Sequence, residues 1–290
     1  MSKPTIRLSV AERQLKSGLT LLSVHNPGAQ TYACVTSLDV RIADEDPRYP
    51  GVASMVGECL DEGTSKYGAL ELATAVESLG AMMEGNHRGG VVMGPASQQK
   101  KATNLLREMV LQPTFPAREF KRVQAEVLTE IKAEEDDPRA VAGRLFRAKI
   151  YRDHPLGRPA HGTIKSVASL KPKQLRDAHK KWFQPGNGYI AASGPFEHED
   201  MLDRLERAFG SFRGKAPEHV PLPELSLAPE ACNVHLPMKR EQVHLFLGHL
   251  GIRRTDPDFY RLSVLDHILG SGPGFTSRCS RKLRDEQGLC

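Results

Sequence analysis

The segment GVASMVGECLDEGT, from Gly51 to Thr64, decides the fold prediction. Its apolar residues recur at the spacing of one face of an amphipathic helix. They are Val52, Met55, Val56, Cys59 and Leu60. Gly63 is of the residue type that most often follows a helix C-terminus. We therefore expect a helix over residues 51–62 that buries this apolar stripe.

The opposite face of this helix carries Ser54, Gly57 and Glu58. Residues four apart on a helix project from the same face, so two histidines at this spacing can hold one zinc while a neighbouring glutamate activates its water. Ser54 and Glu58 have that spacing, but serine is a poor zinc ligand and Gly57 has no carboxylate. From the residues alone, an amphipathic helix facing a cleft is favoured. Because glycine within a helix costs about 1 kcal/mol relative to alanine, Gly57 indicates a close approach of another segment.

The flanking sequence predicts an α+β domain over residues 1–214. Strand patterns run from Arg13 to Val40, where alternate residues from Tyr32 to Leu38 share one side. Short extended segments are expected near Met82 and over 89–94. Helical patterns cover 69–80, 98–111 and 116–135. We expect a largely antiparallel sheet with helices on one face.

Residues 215–230 contain four prolines and little periodicity, which indicates a linker that proteases should cut first. Residues 231–290 then resemble the start of a second unit, with a strand-like run at 242–250 and a helix from Phe259 to Leu269. This region is too short for a second domain of the first one's size, so we expect an incomplete domain with exposed apolar surface. The glycines of the turn at 270–274 follow a helix rather than a strand, which excludes a dinucleotide-binding loop.

Composition excludes several classes of function. The net charge of +5 is modest, and the basic run at 179–182 fits a solvated helix face better than a nucleic-acid site. The five cysteines are odd in number and contain no C-x-x-C pair, which argues against a disulfide framework. No apolar run approaches the length of a membrane span, and no signal peptide precedes the first strand. A cytoplasmic location is expected, unless a leader has been trimmed.

Four segments in order resemble the insulinase and pitrilysin family of metallopeptidases. The family's zinc helix, called an inverzincin motif, reads G-L-A-H-x-x-E-H…G-T, and residues 51–64 are similar to it. The segment YRDHPLGRPAHGT at 151–163 resembles the family's H-P-L-G-R…G-T segment. Residues 182–196 resemble its Y-x-P-x-N strand, and residues 269–290 resemble the glycine turn and L-R-E-x-x-G-L-x-Y segment of its second domain.

The resemblance implies tandem homologous domains and assigns roles to single positions. Ser54 and Glu58 stand where the two zinc-binding histidines belong, and Gly57 replaces the catalytic glutamate. Glu130, in EVLTEI, occupies the position of the third ligand. No histidine is placed by spacing to complete a set of three ligands with the two glutamates.

The resemblance also implies positions that bind substrate. In the family an Asn-Ala pair lies beside the bound peptide, and here Glu84 and Gly85 stand at that pair. An arginine of the second domain reaches across to the other domain's zinc site, and Arg284 matches it. The tyrosine that accompanies this arginine would fall just past residue 290. A surface helix arginine is the competing interpretation of Arg284.

These features favour a catalytically inactive family member that binds no zinc and no other cofactor. Such members resemble the alpha subunit of the mitochondrial processing peptidase, which pairs with an active subunit and helps to hold peptides. We therefore expect a heterodimer with a zinc-bearing family member. One alternative is a metallopeptidase with an atypical metal site at Glu58 and Glu130. Another is a structural subunit, like the core proteins of the respiratory bc1 complex.

Overall fold

The computed structural model describes residues 8–186, 188–225 and 231–289, which form two compact units. The first unit takes in the described residues up to 225 together with 232–246. The second takes in residue 231 and residues 247–289. The predicted boundaries at 1–214, 215–230 and 231–290 remain predictions, and residues 226–230 of the predicted linker lie outside the described residues.

In the first unit, groups of strands are separated along the chain by groups of helices. The strands are β1 (Ser9–Gln14), β2 (Thr20–His25), β3 (Thr31–Ser37), β4 (Met82–Asn86), β5 (Gly89–Pro95) and β6 (Tyr189–Gly194). The helices are α1 (Val52–Glu58), α2 (Ala69–Glu77), α3 (Gln99–Leu111), α4 (Ala117–Asp136), α5 (Pro138–Tyr151), α6 (Ile164–Ser169), α7 (Pro172–Trp182) and α8 (His198–Phe209). This content confirms the predicted α+β class.

The six strands form one sheet in the order β1-β2-β6-β3-β5-β4. Only the β2–β6 pair is parallel, and the other four pairs are antiparallel. Strand β6 comes from late in the chain, yet it pairs with β2 and β3 in the centre of the sheet. The sheet is therefore complete only when residues beyond 188 are included, and it leaves β1 and β4 as its edges.

The core lies between one face of this sheet and the helices. Tyr32, Cys34, Thr36 and Leu38 are all at most 2% exposed, which confirms the predicted alternation along β3. Burial raises the pKa of the Cys34 thiol to about 12. Helices α3 and α8 pack on this face, with Leu106, Met109 and Phe209 fully buried. Of the intervening residues on β3, Ala33 and Val35 are only partly buried, so this strand turns one face toward the core.

Helix α1 confirms the predicted stripe but ends earlier than predicted. All five apolar residues of the stripe are at most 4% exposed. The helix stops at Glu58 rather than at residue 62. Its last turn tightens, since the amide of Leu60 bonds to the carbonyl of Gly57 at 3.3 Å. The chain then turns so that Gly63 and Thr64 form bridges with Gly68 and Pro113, and a continuing helix could not make these pairings.

Two other predictions need correction. Residues 242–250 do not form a strand, because no described strand lies beside them to supply hydrogen bonds, and Val243 and Leu245 are 91% and 84% exposed. The helical pattern predicted over 116–135 is followed by a further helix, α5, which begins at Pro138 and was not predicted. Asp137 begins that helix by accepting a hydrogen bond from the amide of Arg139 at 2.9 Å.

The second unit is described by itself. It contains α9 (Phe259–Asp266), which continues as a wider helical turn over His267–Ser271, and a further helical segment over Ser280–Glu286. Large apolar side chains are exposed here, including Leu247 at 93%, Tyr260 at 79% and Val264 at 62%. This agrees with the apolar surface expected for the unit. Among the helices of the described residues, none combines the length and apolar character needed to cross a bilayer.

Candidate functional site

The start of α1 is held by a buried carboxylate. Glu45 is 4% exposed and accepts hydrogen bonds from the amides of Gly51 and Ala53 at 2.9 and 2.8 Å. These amides belong to the unpaired first turn of the helix, where a carboxylate is stabilising. Burial raises the pKa of Glu45, although the two backbone bonds oppose the shift.

Gly51 supplies a backbone conformation that this position requires. Its φ is +89°, and a Cβ atom there would lie 2.6 Å from the carbonyl oxygen of His161. The segment that follows α5 therefore lies directly against the start of α1. This close approach brings a histidine to the site that sequence spacing did not identify.

His161 bonds to the first of the degenerate positions. The Oγ of Ser54 lies 3.0 Å from Nδ1 of His161. Ser54 is half-buried and His161 is exposed, so the pair faces solvent. The only signal for His161 in the sequence was its place in the segment at 151–163, where it precedes the Gly-Thr pair.

The two glutamates of the sequence prediction lie in the same electrostatic neighbourhood. Partial burial raises the pKa of Glu58, the nearby His161 opposes this shift, and the charge of Glu130 adds to it. The pKa of His87 is lowered by burial, by Arg88 and by His161. His161 thus lies near the two glutamates, whereas the expectation that no histidine completes a set of three ligands with them remains a prediction.

These side chains still do not form a ready metal site. Within the described ranges, no three His, Cys, Asp or Glu side chains are arranged to hold a metal ion. Ser54, which stands at one ligand position, is already engaged with His161. The zinc ion implied by the family resemblance does not fit this donor set, since it requires three protein ligands and an open fourth position.

Gly57 decides what the site can hold. A Cβ atom built on Gly57 would lie 2.6 Å from the carbonyl carbon of Asn86 and 2.6 Å from the nitrogen of His87. These are backbone atoms of the turn between β4 and β5, which cannot rotate away as a side chain can. The close approach predicted from glycine in a helix is confirmed, and no side chain fits at position 57 without moving this turn.

Gly85 of strand β4 also lies directly against helix α1. A Cβ atom on Gly85 would lie 2.7 Å from the carbonyl oxygen of Gly57 and 3.0 Å from Cβ of Leu60. Two glycines therefore bring strand β4 and helix α1 together. Gly85 contributes close packing, whereas Glu84 is exposed on this edge strand. The substrate-binding role assigned to both remains a prediction.

Helix α4, which carries Glu130, is tied to the chain that follows α1. Arg122 bonds to the carboxylate of Glu62, and it also bonds to Glu126 at 2.8 Å along its own helix. The network fixes α4 relative to the loop after α1. Glu130 itself is exposed. Arg284 lies in the second unit, where its Nε donates to the carboxylate of Asp285 at 2.9 Å, so its predicted role remains untested.

Comparisons with known proteins agree with this architecture. The family described as "Insulinase (Peptidase family M16)" matches residues 20–164, and the family described as "Peptidase M16 inactive domain" matches residues 169–290. An uncharacterized zinc protease of Mycobacterium leprae is 27% identical over 97% of this chain and 64% of its own length. The zinc protease YmxG of Bacillus subtilis, also uncharacterized, is 26% identical over 94% of this chain and 66% of its own length.

Solved structures show the same fold. A peptidase M16 inactive domain from Pseudomonas fluorescens superposes with a TM-score of 0.82 at 23% identity, over 97% of this chain and 69% of that one. A protease from Helicobacter pylori gives 0.80 at 18% identity, over 98% and 70%. The chain spans just under two thirds of the length of the first relatives it matches. On these matches, the chain belongs to the insulinase family, peptidase family M16.

Proposed function

We propose that this chain is a catalytically inactive member of the insulinase family that helps a zinc-bearing member to bind and cleave peptides. The observation that supports this most strongly is Gly57. The family's catalytic glutamate would stand there, and the backbone of Asn86 and His87 occupies the space that its side chain would need. Without that carboxylate, nothing at the family's position can activate a water molecule.

Peptide binding is supported by the edge of the sheet. Among the strands that the structure describes, β4 pairs with β5 alone and ends the sheet. An edge strand can accept an extended peptide as a further strand, with backbone hydrogen bonds supplying much of the affinity. Glu84 is exposed on this edge, one residue from the glycine contact with α1. We infer that peptides with a basic or neutral residue opposite Glu84 are preferred.

The partner role rests on the resemblance of the second unit. Arg284 would place positive charge near the carbonyl of a peptide bound to an active subunit, where negative charge develops during hydrolysis. One donor of this kind is typically worth about 10²- to 10³-fold in rate. The test is to mix the chain with a zinc-bearing family member from the same organism and to measure peptide cleavage. Arg284→Ala should lower the rate by that factor while the complex still forms.

A neighbouring arginine provides the matched control. Arg281 lies one helical turn before Arg284 and interacts with Glu286 at 3.6 Å. Arg281→Ala should leave the rate within about twofold, since surface ion pairs contribute little. If Arg284→Ala is as active as Arg281→Ala, or if cleavage is unchanged when the chain is omitted, the helper role is wrong. A structural role like that of the bc1 core proteins would then be favoured.

The atypical metallopeptidase is kept as a second candidate because Glu58, Glu130 and His161 interact electrostatically. The first candidate, an inactive family member, predicts that the chain alone binds no zinc tightly and cleaves no peptide. Elemental analysis after dialysis decides between them. About one metal ion per chain that is lost in both Glu58→Gln and Glu130→Gln would support the second candidate and overturn the first.

A further inference from the structure

The described part of the Pro-rich segment at 215–230 is bonded to the rest of the first unit. Residues 216–223, called the strap below, carry His219 in their middle. The ring of His219 lies between two carboxylates, with Nε2 2.8 Å from Asp39 and Nδ1 2.5 Å from Asp44. The amide of Val220 donates to the second oxygen of Asp44 at 3.0 Å. The strap thus has a specific seat.

This seat requires a proton on the imidazole. Carboxylates only accept hydrogen bonds, and a neutral imidazole donates from one nitrogen alone. Both nitrogens of His219 face carboxylate oxygens, so both must donate. Asp44 has a side chain only 1% exposed, and Arg41 also donates to it at 3.0 Å. The docked strap therefore holds His219 as a cation between two anions.

The segment that seats the strap also positions α1. Asp44 binds the strap, and the next residue, Glu45, holds the amides of Gly51 and Ala53 at the start of the helix. Only one peptide bond separates the two carboxylate-bearing residues. A shift of Asp44 on release of the strap is consequently passed to the residue that fixes the first turn of α1.

A second hydrogen bond, from His154, also links the strap to the segment that contacts the candidate site. Nε2 of His154 lies 3.1 Å from the carbonyl oxygen of Pro223 at the end of the strap. Nδ1 of His154 accepts from the amide of Leu156 at 3.1 Å, so this histidine is neutral and donates to the strap. The same segment continues to His161, which bonds to Ser54. Both segments that hold the strap therefore also contact the candidate site.

We propose that the strap is a proton-dependent latch: docking of protonated His219 between Asp39 and Asp44 sets the position of α1, and loss of the proton releases the strap. The charged groups at the seat are Asp39, Asp44 and Arg41, and the adjacent Glu45 interacts with Arg158. A released histidine gives up its proton near the ordinary pKa of about 6.5. Docking is therefore complete at lower pH and weakens as pH rises above this value, by up to about tenfold per pH unit.

The first experiment tests the latch. Nitrogen NMR of the intact chain should show both ring nitrogens of His219 protonated at pH 7, whereas those of His154 should show the neutral form. Trypsin cleavage after Lys215 at pH 6.5 should be about tenfold faster in His219→Ala, because the variant loses both charge-assisted hydrogen bonds of the seat. Asp39→Asn, a milder change, should also make this cleavage faster, by a smaller factor. His235→Ala is the control, because that histidine is exposed and has no carboxylate partner among the described contacts.

The second experiment tests the connection to α1. Amide hydrogen exchange of Gly51 and Ala53 should be about threefold faster or more in His219→Ala than in His235→Ala, with unchanged exchange in β3 and β6 as the sign of an intact fold. A neutral ring at pH 7, equal cleavage rates, or unchanged exchange at Gly51 and Ala53 would each overturn the proposal.

Discussion

Gly57 offers a direct test of the reasoning on the site, because its substitution by alanine separates two opposed effects. Alanine gains about 1 kcal/mol of helix propensity over glycine. The added Cβ would lie 2.6 Å from backbone atoms of Asn86 and His87, a distance that real Cβ contacts do not show. Overpacking of this kind costs about 1–3 kcal/mol. Since the obstacle is backbone, we expect the upper part of that range and a net loss of about 1–2 kcal/mol.

A second helical glycine supplies the matched control. Gly143 lies in α5, and the nearest atom to a Cβ there is Cζ of Phe246 at an ordinary 3.5 Å. Gly143→Ala should therefore stabilise the protein by about 0.5–1 kcal/mol. The assay is urea unfolding at 25 °C, with the midpoint and slope followed by tryptophan fluorescence of Trp182. If Gly57→Ala is as stable as Gly143→Ala, the close contact is wrong, and a glutamate at position 57 is no longer excluded.

Three further outcomes follow from the buried titratable groups. Burial raises the folded pKa of Glu45 above its ordinary value of 4.5. The stability that this group contributes is therefore complete below pH 4.5 and is lost as pH rises through the folded pKa. Glu45→Gln should reduce this loss, measured as the decline of the urea midpoint between pH 4 and 7. Burial lowers the folded pKa of His179, although its ring bonds to the carbonyl of Val110. The stability that this group contributes is therefore lost as pH falls below 6.5. His179→Gln should reduce this loss of stability in the same urea assay. Cys34, with its raised pKa, should not react with a thiol reagent at pH 8 in the folded chain, whereas exposed Cys232 should; mass spectrometry of the labelled peptides checks this.

The parts of the fold that were predictable depend on local periodicity. The stripe of α1 and the alternation along β3 can be read from the sequence because burial imposes a period of 3.6 or 2 on neighbouring residues. The run at 242–250 shows the limit of this signal. It alternates like a strand, but a strand also needs a neighbour to bond to, and pairing is a property of distant segments. Val243, Leu245 and Leu247 of this run are exposed in the structure.

The parts of the site that could not be predicted are contacts between distant segments. Ser54 and His161 are 107 residues apart, and their bond exists only because Gly51 and Gly162 allow two loops to touch. Gly57 indicated that another segment lies close to α1, but the sequence did not show that this segment is the turn at Asn86. The seat of the strap was not predicted for a similar reason. Proline content reports backbone stiffness, and the seat of His219 depends on two aspartates 175 and 180 residues away.

These long-range contacts also explain how residues of the chain itself hold α1 in place. A zinc site would tie α1 to α4 through shared ligands. Here the start of α1 is held by Glu45, and Ser54 on its solvent-facing side bonds to His161. The close contact between Gly57 of α1 and Gly85 of β4 restrains the helix against the sheet. Each contact restrains the helix without a metal. The geometry of the fold is thus maintained by hydrogen bonds and close packing at the same positions where the family resemblance implies ligands, and the same contacts would hold in place the surface to which we assign peptide binding.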